Sequence, residues 1–201
     1  MAAGTLPSGS SAASPSTAAG PGAPAGVSSG TAAASPASTP AVAVPRAGAR
    51  SLPGGARLQI PSIGVDAPLV TLGVDPDGMM QVPNNGNDVG WYTFSAAPGT
   101  PGNAVLSGHL DTATSPVAVF TRLKELKQGD ALDVVEDGKK IDYTVFWTKS
   151  WPDDTAPLAL ILGNAPSPTL TLITCAGAFN RASRNYSDRL VVRAKLPGSV
   201  L

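Results

Sequence analysis

The chain has 201 residues, with 14 Lys and Arg against 14 Asp and Glu, one His, one Cys, 20 Pro and 22 Gly. Zero net charge leaves no electrostatic footprint for nucleic acid or an anionic membrane surface, a lone Cys cannot close an internal disulfide, and one Cys with one His cannot complete a usual zinc site. No apolar run reaches the roughly 18 to 20 residues of a membrane-spanning helix, so the chain reads as soluble and in need of no cofactor. A carboxylate-bound metal, calcium included, stays open, because the acidic residues are scattered and form no clustered loop.

From Met1 to Arg50 every residue is Ala, Gly, Pro, Ser or Thr except Met1, Leu6, Val27, Val42, Val44, Arg46 and Arg50. Such a stretch offers almost no apolar surface against a backbone ordering cost of roughly 1 to 2 kcal/mol per residue. Residues 1–56 are therefore expected to be a disordered linker, and residues 57–197 one folded domain. The Pro content suits an extended spacer, with a dispensable tail as the alternative. The start, AAGTLPSGSS after Met1, has neither the basic nor the apolar region of an export signal.

The folded part reads as strands. Arg57–Ile63, Pro68–Leu72 and Asn103–Leu110 are short apolar pieces punctuated by Pro and Gly. Asp130–Glu136 and Lys140–Thr148 flank Asp137-Gly138, a strong hairpin signal between β-branched and aromatic runs. Thr169–Cys175 and Asp188–Leu196 complete the set. Only Pro116–Leu126, with Val117, Phe120, Leu123 and Leu126 at three-residue steps, has helical spacing, which fits one short helix or helical turn. Many short strands with Pro/Gly-rich connections predict an all-β closed barrel or sandwich.

Chemistry is sought in the residues that occur once. Cys175 ends TLTLITC; if Leu170 and Leu172 face the core, Thr169, Thr171 and Cys175 face away, although Ile173 breaks the pattern. Taken alone, Cys175 reads first as a small buried apolar thiol. His109 sits where the apolar strand NAVLSGHL meets a loop beginning Asp111-Thr112, and alone it reads as a structural, hydrogen-bonded His. Arg189 opens RLVVRA on the face shared by Val191 and Arg193, where a solvated strand-end arginine is the plainer reading.

Together the segments SGHLD (Ser107 to Asp111), LITC (Leu172 to Cys175) and DRLVVRA (Asp188 to Ala194) resemble the three signatures of sortases, the cysteine transpeptidases of bacterial surfaces. LQIPSIGVDAPLV, GVDPDGMMQVPNNGNDVGWY and AVFTRLKELKQGD are similar to segments of actinobacterial sortases of class F. The resemblance runs from about Leu58 to Leu196, leaving the linker outside it. It implies an eight-stranded β-barrel with one or two short helices, and a cysteine transpeptidase with Cys175 as nucleophile, His109 as acid/base and Arg189 as donor toward the oxyanion or substrate backbone. The alternatives are a cysteine peptidase that releases its acyl group to water, and a non-enzymatic binding barrel.

The resemblance also implies partners and weaker site assignments. An LPXTG-like sorting signal would be cleaved between Thr and Gly, and the acyl group passed to an amine of a peptidoglycan precursor or a pilin Lys. Thr174 and the amide of Ala176 are expected substrate contacts. Leu158, Leu160, Ile161 and Leu162, between prolines, are candidates either to wall a pocket for a Leu-Pro segment or to cap the core. Asp111 either orients His109 or is an exposed turn residue, and Arg184, just before Tyr186, competes with Arg189 as the functional arginine. The domain would work outside the cell membrane, held by an N-terminal anchor that this chain does not contain, with Met1 an added start. With ordinary pKa values of roughly 8.5 and 6.5, about 3% of thiols are ionised and about 24% of imidazoles protonated at pH 7, so a thiolate–imidazolium pair is rare unless the site shifts these values. Arg189 would lower the Cys175 value.

Overall fold

Apolar residues alternating with polar ones, interrupted by Pro and Gly, produce eight strands in the computed structural model, which describes residue 52 and residues 54–199. The stretch read as a linker lies outside the described residues except at its end, where Leu52 packs against the core and Ala56 is buried. The strands are β1 Arg57–Ile60, β2 Val65–Leu72, β3 Val89–Tyr92, β4 Asn103–Ser107, β5 Ala131–Glu136, β6 Lys139–Pro152, β7 Thr169–Asn180 and β8 Asn185–Lys195. They close into a barrel in the order β1-β2-β3-β4-β7-β8-β6-β5, with β5 paired back to β1. The β2–β3 and β4–β7 seams are parallel and the other pairs antiparallel.

Two-residue periodicity decides which side chains fill the barrel. Leu58 and Ile60 of β1, Val89 and Trp91 of β3, Ala104 and Leu106 of β4, Leu132 and Val134 of β5, Leu170 and Leu172 of β7, and Leu190, Val192 and Ala194 of β8 form one core. Each fully buried Leu, Ile or Val contributes about 1.5 to 3 kcal/mol relative to exposure. The Asp137-Gly138 turn joins β5 to β6 with both residues at positive φ (49° and 74°), the geometry a two-residue hairpin requires.

The closed eight-stranded barrel with few short helices is the fold expected from the resemblance. Three local readings differ. Strand β3 went unread, because Val-Gly-Trp-Tyr is short and follows a long polar turn. Pro116–Leu126 forms turns and one 3-10 turn, Leu123–Glu125, the helical turn that its spacing allows. There Thr121 Oγ1 accepts from the Ala118 amide and donates to the Leu110 carbonyl, diverting the local backbone from a helical ladder. Asn103–Leu110 is strand only as far as Ser107, and the β6–β7 connection contains a short helix, α1, Leu158–Leu162.

The outer face of β4, β7 and β8 is covered as well. Thr171 Oγ1 donates to Asn103 Oδ1 (2.7 Å), Asn103 Nδ2 donates to the carbonyls of Ile161 and Gly163, and the buried Arg193 donates to Thr171 Oγ1 and to the carbonyls of Leu160 and Ile161. This polar layer fastens α1 to the barrel wall. Beside it a second apolar cluster joins Leu72, Tyr92 and Val105, with Met80, Phe94, Leu162 and Ile173 packed against them.

Candidate active site

Strand register brings the three candidate residues together. Cys175 of β7 pairs directly with Arg189 of β8. On the other side of β7 the parallel register runs from Asn103 opposite Thr169 to Ser107 opposite Ile173. It is carried one residue further by two hydrogen bonds, Gly108 N–H to the Ile173 carbonyl (3.2 Å) and Thr174 Oγ1 to the Gly108 carbonyl (2.8 Å). His109 follows at once, so a cross-strand row runs His109, Cys175, Arg189. Alternation puts Cys175 and Arg189 on the outer face, opposite the core residues Leu172 and Leu190, and His109 follows two residues past the end of β4.

Gly108 is glycine for a steric reason. A Cβ there would stand 2.6 Å from the Phe120 ring and 2.7 Å from Val119. That close approach folds the chain after β4 back over the strand end, where the Phe120 amide donates to the His109 carbonyl (2.9 Å). The His109 ring is half-buried, and its Nε2 lies 2.7 Å from the carbonyl oxygen of Pro83. A carbonyl only accepts, so Nε2 carries a hydrogen. Nδ1 is then the ring nitrogen left to exchange a proton.

Cys175 is a free, half-buried thiol rather than a core residue. Burial pushes its pKa up, Arg189 pulls it down, and the carboxylates of Asp111 and Asp153 push it up again, with a net upward shift. The expected help from Arg189 exists, but burial outweighs it.

Arg189 is held at the base of the β7–β8 arm. Its guanidinium pairs with Asp153 (3.0 Å) and donates to Asn185 Oδ1 (3.0 Å) and to the backbone carbonyl of Asp188 (3.1 Å). Asn185 Nδ2 donates in turn to Asp153 (2.8 Å). Arg184 instead occupies the exposed turn of the arm, at φ 52°, away from the row. Asp111 neither turns to the imidazole nor hangs free: its carboxylate accepts the hydroxyl of Tyr186, whose pKa is pushed up to about 12 first by that bond. The bond ties the loop after His109 to β8.

The other predicted contacts divide. Thr174 is buried, with its hydroxyl committed to the His109 loop, and Ala176 packs toward the core. Leu158 and Leu160 are exposed (50% and 46%), Ile161 is buried at 2%, and Leu162 belongs to the second apolar cluster beside Ile173. One short helix thus presents two free apolar side chains and uses two for packing. Sequence reasoning missed Pro83 and Asp153, which reach His109 and Arg189 from distant segments, and Asn185, which meets Arg189 from four residues earlier on β8. No periodicity or motif marks them. Among the described residues no group of three His, Cys, Asp or Glu side chains converges to hold a metal ion, and no helix is long and apolar enough to cross a membrane.

The sortase domain family matches residues 58–197. The chain is 34% identical over 119 residues to sortase D of Bacillus subtilis (strain 168), covering 59% of this chain and 52% of that protein. It therefore spans about half the length of that relative. Among solved structures it is similar to a sortase D5 transpeptidase of Clostridium perfringens, with TM-score 0.53, 25% identity, and coverage of 71% of this chain and 78% of that one. It is also similar to a lid mutant of sortase A from Corynebacterium diphtheriae, with TM-score 0.55, 26% identity, and coverage of 75% and 74%.

Proposed function

The chain belongs to the sortase family, and from that premise we propose that it is a cysteine transpeptidase acting on an LPXTG-like sorting signal through a thioester on Cys175. The observation that carries this reading is the row His109, Cys175, Arg189 across β4, β7 and β8. In the proposed reaction the Cys175 thiol passes its proton to His109 Nδ1 as sulfur attacks the signal's Thr carbonyl. Because burial keeps the thiol protonated, transfer accompanies attack and no standing thiolate is required. Arg189, already in contact with several acceptors at the row, supplies donors to the oxyanion or the substrate backbone, together with the Ala176 amide. Collapse breaks the Thr–Gly bond, the imidazolium protonates the departing amine, and the thioester remains. An incoming amine then attacks the thioester, His109 takes its proton, and the thiol is restored.

Leu158 and Leu160 are the exposed residues we place along the Leu-Pro part of the signal, while Ile161 and Leu162 hold the wall in position. Thr174 contributes by fixing the His109 loop. The acceptor is proposed to be a peptidoglycan precursor amine or a pilin Lys, and the place of action the outer face of the cell membrane, with the domain at residues 57–197 tethered by the low-complexity segment. Membership of class F rests on the sequence likeness of residues 58–70, 73–92 and 118–130.

The test is mass spectrometry of the protein incubated with a library of sorting-signal peptides and amines. The expected result is an acyl adduct on Cys175, resolved as amide product when an amine is present and absent in Cys175→Ala. Peptide release only to water, at every amine concentration, would instead make the protein a peptidase. Failure of Cys175 to alkylate or acylate under native conditions would leave a binding barrel.

A further inference from the structure

We propose that Gln81 is a positioning residue for His109, acting by clamping the β2–β3 connection so that the Pro83 carbonyl holds ring nitrogen Nε2 and leaves Nδ1 facing the thiol. The inference rests on His109 being the acid/base of the reaction proposed above, and concerns how that ring is kept in one tautomer and one orientation.

Nothing on β4 itself holds the ring. Its side-chain hydrogen bond, to the Pro83 carbonyl, comes from a segment 26 residues earlier in the chain. Pro83 is buried, and its ring fixes its own φ near −65°, which stiffens the carbonyl locally. Such stiffness is useful only if the loop as a whole is anchored, and Gln81, two residues before, is its anchor. Gln81 Oε1 accepts from the Gly73 amide (2.7 Å) and its Nε2 donates to Asp75 Oδ1 (2.8 Å). Its backbone amide donates to the Gly73 carbonyl (3.1 Å), and its carbonyl accepts from the Tyr92 hydroxyl (2.8 Å). The Gln81 side chain thus adds two bonds to a turn that backbone bonds already close, and its carbonyl ties the turn to β3.

The loop is also fitted to the segment that follows His109. The Val119 amide donates to the Gly86 carbonyl (2.8 Å), and a Cβ on Gly86 would come within 2.6 Å of Thr112. Both sides of the imidazole are therefore clamped: the Pro83 side by Gln81, and the backbone side by the Phe120 amide on the His109 carbonyl. Without the Gln81 side chain the loop would keep its Tyr92 and Gly86 ties and the backbone bonds from the Gln81 amide to the Gly73 carbonyl and from the Asp75 amide to the Met79 carbonyl, but lose the two side-chain bonds, to the Gly73 amide and the Asp75 carboxylate. Pro83 would then be held less firmly against Nε2, and the ring would be freer to swing and to change tautomer.

The experiment uses the full chain, in which His109 is the sole imidazole, so selective 15N-histidine labelling reports one ring. The wild type is expected to show an Nε2–H proton protected from exchange with water. Gln81→Ala should lose that protection while remaining folded, with kcat for peptide cleavage down about tenfold and KM held within about twofold, the pattern of a mispositioned acid/base group. A partner swap supplies the rescue. In Asp75→Asn with Gln81→Glu, the carboxylate now at position 81 accepts from both the Gly73 amide and the side-chain amide now at position 75, so both side-chain bonds re-form and the proton signal and kcat should return. A fall in kcat with the Nε2–H signal intact, or no recovery in the double variant despite a native fold, would overturn the proposal, as would a lost signal with unchanged kcat. Unchanged cleavage in His109→Ala would overturn the acid/base reading itself, a result distinct from all of these.

Discussion

Cys175 is placed among charges that pull in opposite directions, and this makes its ionisation separable by single substitutions. Burial raises its pKa most, Arg189 lowers it, and Asp111 and Asp153 raise it. A thiol with a raised pKa is protonated at neutral pH and becomes reactive only as pH climbs above the ordinary thiol range. Alkylation of the native protein by iodoacetamide, followed by intact mass, should therefore rise with pH and reach half its limit above the midpoint of a free cysteine. Arg189→Met removes the lowering charge and should move that midpoint further up. Asp111→Asn removes a raising charge and should move it down. A midpoint below the free-cysteine value, or movements of the opposite sign, would show that burial does not dominate. At this scale the sequence was informative about direction and poor about surroundings: strand alternation pointed Cys175 away from the core, where it lies half-buried, against the usual burial of a lone thiol. The carboxylates that act on the thiol come from segments remote in sequence, so no local pattern could reveal their sign or strength.

Helix α1 shows how an element can be illegible until its partners are known. Its five residues between prolines carry too little periodicity to distinguish helix from loop, and its stability comes from the barrel wall rather than from its own hydrogen bonds. Arg193 of β8 is the main fastening: it is 8% exposed, donates to the Leu160 and Ile161 carbonyls, and lies 5.7 Å from the Trp147 ring. Burial lowers its pKa, yet the guanidinium stays charged because an arginine titrates far above neutrality. Arg193→Met keeps the apolar stem and deletes the donors, leaving the Leu160 carbonyl without this partner. The expected cost is roughly 1.5 to 3 kcal/mol in urea unfolding, the range for hydrogen bonds to a charged group. With α1 loosened, KM for a sorting-signal peptide should rise while kcat, which the proposed reaction assigns to the His109–Cys175–Arg189 row, holds. A fall in kcat at constant KM would place Arg193 in the chemistry and not in the wall. Strands β5 and β6 are the contrasting case, legible because Asp137-Gly138 imposes its own turn.

At the scale of the whole molecule, fold class was legible because short apolar strands separated by Pro- and Gly-rich connections recur along the chain, whereas the closing pairs β1–β5 and β4–β7 join segments far apart and follow only from the topology. Closure has an energetic consequence. A barrel has no free sheet edge, so its stability does not require a further segment to cover one. Strand β1 is already paired on both sides, with β2 and with β5, and the main core draws on residues from Leu58 to Ala194, with Leu52 packed against it. Residues 1–50 offer almost no large apolar side chain that could add to this core. A chain beginning at Ser51 is therefore expected to unfold within about 2 °C of the full chain, since 1 kcal/mol corresponds to about 2 to 4 °C for a domain of this size. It should also cleave a soluble signal peptide at an unchanged rate. In the proposed role as a tether, the segment sets only where the domain can reach, so its removal should matter for substrates fixed to a surface and not for free peptides. A drop of several degrees, or a lower rate on free peptide, would show that residues 1–50 contribute to the folded domain or its site and would overturn the spacer reading.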